Sequence, residues 1–384
     1  MESSLSRQEL EQLITAVFSP SSRDKSLGII VDVPDTKSQD SDSWLQRRLM
    51  ARDWASKLDK GKAAIGLESV SIVLYKNVGN NNADLPELFF RAPESIDGIT
   101  GDTIEDLPGS VHADSFFSTH DLIIAPTEFS ATAPLKLNAK KHGFRAVTMP
   151  GFSSQMVPAL QLDYREINDM VHTIKGLLDK STGADMRFSL ETGDTCDIHF
   201  DLRFRTAHAS GGRFPETGHA GNLPSGEAYI VPYEGELPDT SLSDGILPVQ
   251  FGEEVVMYNI KANKAAAVLS SGPVSDKERE KITNEPAYAN IAELGFGVLQ
   301  KYGLKPVNEI LLDEKLGLHI AFGRSDHFGG SIGVKDFSSP DKVVHIDRIY
   351  IPEIQNKINV DYVSLTYDDG STQTIMENGT YTIF

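Results

Sequence analysis

Residues 198–205 read Ile-His-Phe-Asp-Leu-Arg-Phe-Arg, with apolar and polar side chains in strict alternation. Ile198, Phe200, Leu202 and Phe204 fall on one side of an extended chain, and His199, Asp201, Arg203 and Arg205 on the other, so the run predicts a strand with one buried and one wet face. Downstream the rhythm stays strand-like. Residues 254–260 and 343–351 are further strand candidates. Near the end, residues 360–367 and 371–375 flank Asp369-Gly370, a hairpin turn signal, and Asn378-Gly379 follows as a second turn. One helix, roughly residues 286–300, is expected to interrupt these strands.

Upstream the rhythm changes. Ser6 and Glu9 have capping-box spacing ahead of Leu10, Leu13, Ile14, Val17 and Phe18 at helical spacing. Short apolar runs at residues 27–33, 70–75, 122–125 and 146–149 read as strands. Helical patterns at Trp44, Leu45, Leu49, Trp54 and Leu58, and over residues 131–141 up to Gly143, separate them. Strands alternating with helices imply a largely parallel sheet covered on both faces. A helix over residues 164–180 leads out of this half. The expectation is an α/β N-terminal domain with a mainly parallel sheet (residues 1–183) and an α+β, strand-rich, metal-binding catalytic domain (residues 184–384), the boundary lying near Gly183.

The composition narrows the function. With 384 residues, two domains are a better prior than one. Against 55 Asp plus Glu stand 36 Lys plus Arg, a net charge of -19, and that field repels nucleic acid and anionic lipid. A single cysteine, Cys196, forms no internal disulfide and requires no oxidising compartment. Residues 1–18 lack a basic start followed by an apolar run, and no stretch is long and apolar enough to span a membrane. A soluble, cytoplasmic protein is the default expectation.

Chemistry concentrates in the second half. Glu227 stands in Gly-Asn-Leu-Pro-Ser-Gly-Glu-Ala-Tyr-Ile, Glu293 in Asn-Ile-Ala-Glu-Leu-Gly-Phe-Gly, and His319 in Leu-Gly-Leu-His-Ile-Ala-Phe-Gly. His345 and Asp347 stand in Val-Val-His-Ile-Asp-Arg-Ile, where positions two apart on a strand share a face. Ionisable groups among apolar neighbours are costly unless paired or metal-bound. Three of these five are carboxylates and neutralise one another poorly, so one or two divalent cations would resolve the cost. Two imidazoles with carboxylates suit zinc, cobalt, manganese or ferrous iron. Each residue taken singly has a plainer reading, as a capping, ion-paired or core side chain, and spacing alone does not bring the five together. Cys196 reads as a packing residue, Gly329-Gly330 as a turn, and His208 and His219 as loop residues open to a substrate contact.

Residues 120–351 resemble the M29 family of metallopeptidases, the aminopeptidase T or leucyl aminopeptidase group. The phrases that carry the resemblance are Asp121-Leu-Ile-Ile-Ala-Pro-Thr127, Gly143-Phe-Arg-Ala-Val-Thr-Met-Pro-Gly151, Gly221-Asn-Leu-Pro-Ser-Gly-Glu227, Asn290-Ile-Ala-Glu-Leu-Gly-Phe-Gly297, Asp313-Glu-Lys315, His319-Ile-Ala-Phe-Gly323 and His345-Ile-Asp347. Their order and spacing count for more than any one of them. The resemblance implies a pair of divalent metals (Zn, Co or Mn) held by Glu227, Glu293, His319, His345 and Asp347. It also implies a homodimer and aminopeptidase-like exopeptidase activity on a small-molecule or short peptide substrate, in which the cations acidify water and polarise the scissile carbonyl. Glu227 would be a metal ligand or the general base. The sequence departs from the peptidase pattern where a catalytic tyrosine should follow the first ligand histidine: the stretch is Arg324-Ser-Asp-His-Phe-Gly-Gly330. Asp326 and His327 occupy that place and are the candidates for proton relay or oxyanion contact. A related branch resembles 2,5-dihydroxypyridine dioxygenase, which uses one non-haem iron; His319, His345 and Asp347 would hold Fe(II) in that alternative.

Overall fold

The computed structural model describes residues 4–384. The chain divides into two compact units, Met1–Asn168 with Gly212–Ser225, and Asp169–Gly211 with Gly226–Phe384.

The first unit opens as the capping box requires. Ser6 caps helix Arg7–Phe18, the Glu9 amide donating to its hydroxyl at 3.3 Å while the Glu9 carboxylate accepts from the Ser6 amide at 2.7 Å. Seven strands form the sheet: β1 (Ser26–Val33), β2 (Ser69–Lys76), β3 (Leu88–Arg91), β4 (Ser110–His112), β5 (Leu122–Thr127), β6 (Arg145–Pro150) and β10 (Ala220–Asn222). Their order is β10-β6-β5-β1-β2-β3-β4. The pairs among β10, β6, β5, β1 and β2 are parallel, and β3 and β4 add an antiparallel edge. All eight positions of β1 are buried, as a central strand covered on both faces must be. Phe89, Phe116, Phe117 and Phe144 pack with Ile30, Ile123 and Leu135 into one core, each buried ring contributing roughly 1.5–3 kcal/mol.

The second unit holds two antiparallel sheets. The larger has the order β14-β13-β12-β8-β7-β18-β19-β20. Its strands are β7 (Ser181–Leu190), β8 (Thr195–Asp201), β12 (Asp244–Phe251), β13 (Glu254–Lys261), β14 (Lys264–Val268), β18 (Ile358–Tyr367), β19 (Thr372–Glu377) and β20 (Thr380–Tyr381). Asp369-Gly370 turns between β18 and β19 with Gly370 at φ 78°, as its sequence demands. The smaller sheet has the order β17-β16-β15-β11-β9, built from β9 (His208–Ser210), β11 (Glu227–Ile230), β15 (Ile291–Gly297), β16 (Leu318–Gly323) and β17 (His345–Ile349). The α/β first half and strand-rich second half expected from the sequence are therefore both present.

Two local expectations are corrected. The helix expected over residues 286–300 is instead strand β15, and the helix lies earlier, at Pro273–Asn284. All seven residues of β15 are buried, so its apolar run lacks the alternation that separates strand from helix. The alternating strand around residue 200 ends at Asp201. Phe204 adopts φ 63° and is 58% exposed rather than buried, and the Arg203 guanidinium lies 5.6 Å from its ring centre. Among the described residues no helix is long and apolar enough to cross a membrane.

Candidate metal centre

The smaller sheet gathers the candidate side chains on one face. Glu227 pairs with Gly297 and Tyr229 with Gly295 between β11 and β15. Glu293 pairs with Ala321 and Gly295 with His319 between β15 and β16. Ala321 then pairs with Asp347, and Gly323 with His345, between β16 and β17. Cross-strand partners share a face, so carboxylates and imidazoles alternate with Gly295, Gly297, Ala321 and Gly323. These small residues hollow the surface. A Cβ at Gly295 would overlap the His319 ring, and that space lets the imidazole lie across β15 toward Glu227.

The ligand atoms converge in two groups, Glu227 with Glu293 and His319, and Glu293 with His345 and Asp347, each lying within 4.8 Å. The His319 Nε2 is 3.4 Å from Glu227 Oε2 and 3.4 Å from Glu293 Oε1. The His345 Nε2 is 3.2 Å from Glu293 Oε2 and 3.5 Å from Asp347 Oδ1. Glu293 therefore turns one oxygen toward each group. Both imidazoles are fixed from behind: Nδ1 of His319 faces the Gly317 carbonyl at 3.1 Å, and Nδ1 of His345 faces the Arg324 carbonyl at 2.8 Å. A carbonyl only accepts, so Nδ1 carries the proton and a neutral ring presents its Nε2 lone pair to the cluster. Glu227 Oε2, His319 Nε2 and Asp347 Oδ1 are buried with no hydrogen-bond partner. Orphaned polar atoms of this kind are costly, and a cation bonded to them would remove the cost. The donor set fits a divalent metal.

The electrostatics agree. Burial alone would raise the Glu293 pKa, but the adjacent imidazoles of His319 and His345 outweigh it and hold the carboxyl well below its usual range. Burial alone would lower the His319 pKa, yet Glu293, Glu227 and Asp347 carry it up to about 9. His345 is raised well above its ordinary value against the same penalty, by Asp347 and Glu293. Without a metal, protons are the cations that this cluster holds.

Lys315, Glu314, Tyr229 and Phe328 were not singled out from the sequence as site residues, whereas their neighbours His327 and His208 were. Lys315, its side chain 1% exposed, donates to Glu227 Oε1 at 2.5 Å and also bonds Glu314. It reaches Glu227 because Gly297 has no side chain to hold off the backbone of Glu314 and Lys315. Burial raises the Glu314 pKa to about 8 despite Lys315. Beside His345 stands an aromatic wall: His327 and Phe328 at ring separations of 5.4 and 5.5 Å, Tyr229 at 4.8 Å from Phe328, and His208 stacked on Tyr229 at 5.1 Å. His208 Nε2 also meets the Phe328 carbonyl at 3.0 Å.

The remaining sequence candidates separate. Asp326 bonds Arg324 at 2.6 Å and lies 3.6 Å from His327 Nδ1. The His327 pKa is pushed down to about 4, by burial first and then by His345. His219 pairs instead with Glu216 at 3.7 Å. Cys196 is buried, and burial pushes its thiol up to about 11, which suits packing rather than nucleophilic attack.

This fold, a mainly parallel α/β unit followed by a strand-rich unit, is similar to those of solved structures. One is 2,5-dihydroxypyridine dioxygenase from Pseudomonas putida KT2440, with a TM-score of 0.60 and 15% identity over 99% of each chain. Another is wild-type AmpT from Thermus thermophilus, with a TM-score of 0.54 and 14% identity over 98% of this chain and 100% of that one. Likeness at these identities establishes the fold. No protein-family model and no curated protein sequence matches the chain.

Proposed function

We propose that this protein is a metal-dependent hydrolase, an aminopeptidase-like exopeptidase that acts on a peptide or amide bond through a dinuclear centre. One observation carries the reading: Glu293 belongs to both ligand groups and gives one oxygen to each. A carboxylate so placed suits two ions a short distance apart better than one. Divalent cations (Zn, Co or Mn), when bound, supply Lewis acidity that acidifies water and polarises a carbonyl.

The protein's own groups do the rest. Glu227, Glu293, His319, His345 and Asp347 would hold the cations. Lys315 occupies Glu227 Oε1, which leaves Oε2 facing the cluster and favours a ligand role over that of a free general base. His327 is neutral near pH 7 because burial and His345 depress its pKa to about 4, so it is fitted to accept a proton beside the cluster. Asp326, 3.6 Å from His327 Nδ1, would orient that ring while Arg324 restrains the carboxylate. The reading carries with it a cytoplasmic homodimer.

A second reading, an Fe(II) ring-cleaving dioxygenase, draws support from Asp326 standing where the peptidase pattern has tyrosine, from the aromatic wall, and from the fold shared with 2,5-dihydroxypyridine dioxygenase. Elemental analysis of the purified protein separates the two. About two zinc, cobalt or manganese ions per chain with release of p-nitroaniline from leucine p-nitroanilide supports hydrolysis. About one iron per chain with oxygen uptake on a dihydroxypyridine overturns it in favour of the second.

A further inference from the structure

Glu234 lies outside both ligand groups, yet its side chain is 2% exposed. A buried carboxylate is tolerated only when its lone pairs are filled, and here segments from across the second unit fill them. Its Oε1 accepts from Asn290 Nδ2 at 2.7 Å and from Ser325 Oγ at 2.5 Å. Its Oε2 accepts from the Ser331 amide at 2.5 Å and the Ser331 hydroxyl at 2.7 Å. Arg205 stands 3.6 Å from Oε2 and donates to the Gly329 carbonyl at 3.2 Å.

The donors occupy meaningful places. Ser325 and Ser331 are the two ends of the loop after β16, and between them lie Asp326, His327 and Phe328; the rings of His327 and Phe328 stand against His345, and that of Phe328 also against Tyr229. Asn290 immediately precedes β15, the strand of Glu293, and its amide also donates to the carbonyl of Gly323, the last residue of β16, at 3.0 Å. One carboxylate thus fastens both feet of the loop to the strands that bear the cluster. Within the loop the Phe328 and Gly330 amides meet the Ser325 carbonyl at 2.9 and 3.1 Å, and the Ser325 and Asp326 amides share the Ile332 carbonyl at 2.9 and 3.0 Å, while Arg205 and His208 meet the Gly329 and Phe328 carbonyls from outside at 3.2 and 3.0 Å.

We propose that Glu234 is a positioning residue that clamps the loop 325–331 so that His327 and Phe328 are held against His345. The clamp itself stands on geometry alone; its kinetic consequence rests on the hydrolytic reading given above. Charge-assisted hydrogen bonds of this kind are among the stronger ones, and several share the one acceptor group.

The test uses the full chain with Glu234→Ala. Amide hydrogen exchange across residues 325–332 is expected to quicken by about tenfold or more, with exchange elsewhere and metal content per chain unchanged. On leucine p-nitroanilide, kcat is expected to fall to about the level of His327→Ala, and Glu234→Ala combined with His327→Ala to fall no further, because both changes remove the same contribution. Unaltered exchange in this segment, or losses that multiply in the double variant, overturns the proposal. Should Glu234→Ala fail to fold, the paired change Ser325→Ala and Ser331→Ala, which removes the two hydroxyl bonds from the loop side and leaves the Ser331 amide bond, carries the same expectations in direction at smaller size. If the wild-type chain binds no metal and turns over no amide, the hydrolytic reading fails, and the exchange result alone decides the clamp.

Discussion

Zinc added to a metal-free sample near pH 7 is expected to expel about two protons per chain. The number follows from the cluster. His319, with its pKa carried up to about 9, is almost fully protonated there, and so is His345, raised well above its ordinary value. A cation needs the Nε2 lone pair, so both protons must leave. Each group holds one imidazole, so each apparent dissociation constant should drop by about tenfold for each pH unit gained while the rings stay protonated, and the product of the two by about a hundredfold. Calorimetric titration in buffers of different ionisation enthalpy gives the proton count, and chelator competition gives the affinity slope. A count of about one half or less would refute the assignment of these imidazoles as ligands. The same shift governs the metal-free fold. Because the folded-state pKa of His319 lies above the unfolded value, its contribution is complete below about pH 6.5 and is lost as pH rises through about 9. That gap corresponds to roughly 3 kcal/mol, so the urea midpoint of metal-free protein should decline over this window.

Three further outcomes follow from the same geometry. Glu293→Ala should abolish binding in both groups while Glu227→Ala leaves about one cation per chain, as read by elemental analysis; equal stoichiometry in the two variants would contradict the sharing of Glu293. Gly295→Ala should displace the His319 ring and weaken zinc binding by about tenfold or more in equilibrium dialysis, at a stability cost of about 1–3 kcal/mol; undiminished affinity would mean that the ring does not lie where this packing puts it. Lys315→Met should lower the unfolding free energy of metal-free protein by about 3 kcal/mol in urea, since it leaves the Glu227 carboxylate buried without the ammonium bonded to it; a change under about 1 kcal/mol would count against that buried pair.

The sequence exposed the α/β half readily because apolar runs and helical spacing alternate there, and punctuation such as Gly143 falls where a helix ends with φ 81°. It exposed the acids and imidazoles through their apolar settings. What it hid has definite causes. Strand β15 is buried on both sides, so its period is erased and it imitates a helix. Phe204 continues an apolar alternation that the backbone abandons at Asp201. Glu234 sits in Val-Pro-Tyr-Glu-Gly, which reads as a solvated turn, and its burial depends on partners 56 to 97 positions away. Lys315 is revealed only once the pairing of Glu227 with Gly297 brings two distant segments together.

The rear anchorage of the two imidazoles has an evolutionary consequence. Gly317 and Arg324 act through peptide oxygens, which every replacement at those positions would still provide. The acceptor behind each ring is therefore independent of side-chain chemistry at residues 317 and 324, although a side chain at Gly317 would press on Ile351. Descendants of this scaffold could exchange wall and loop residues, and with them the molecules admitted, without having to rediscover how to present two nitrogens to an ion.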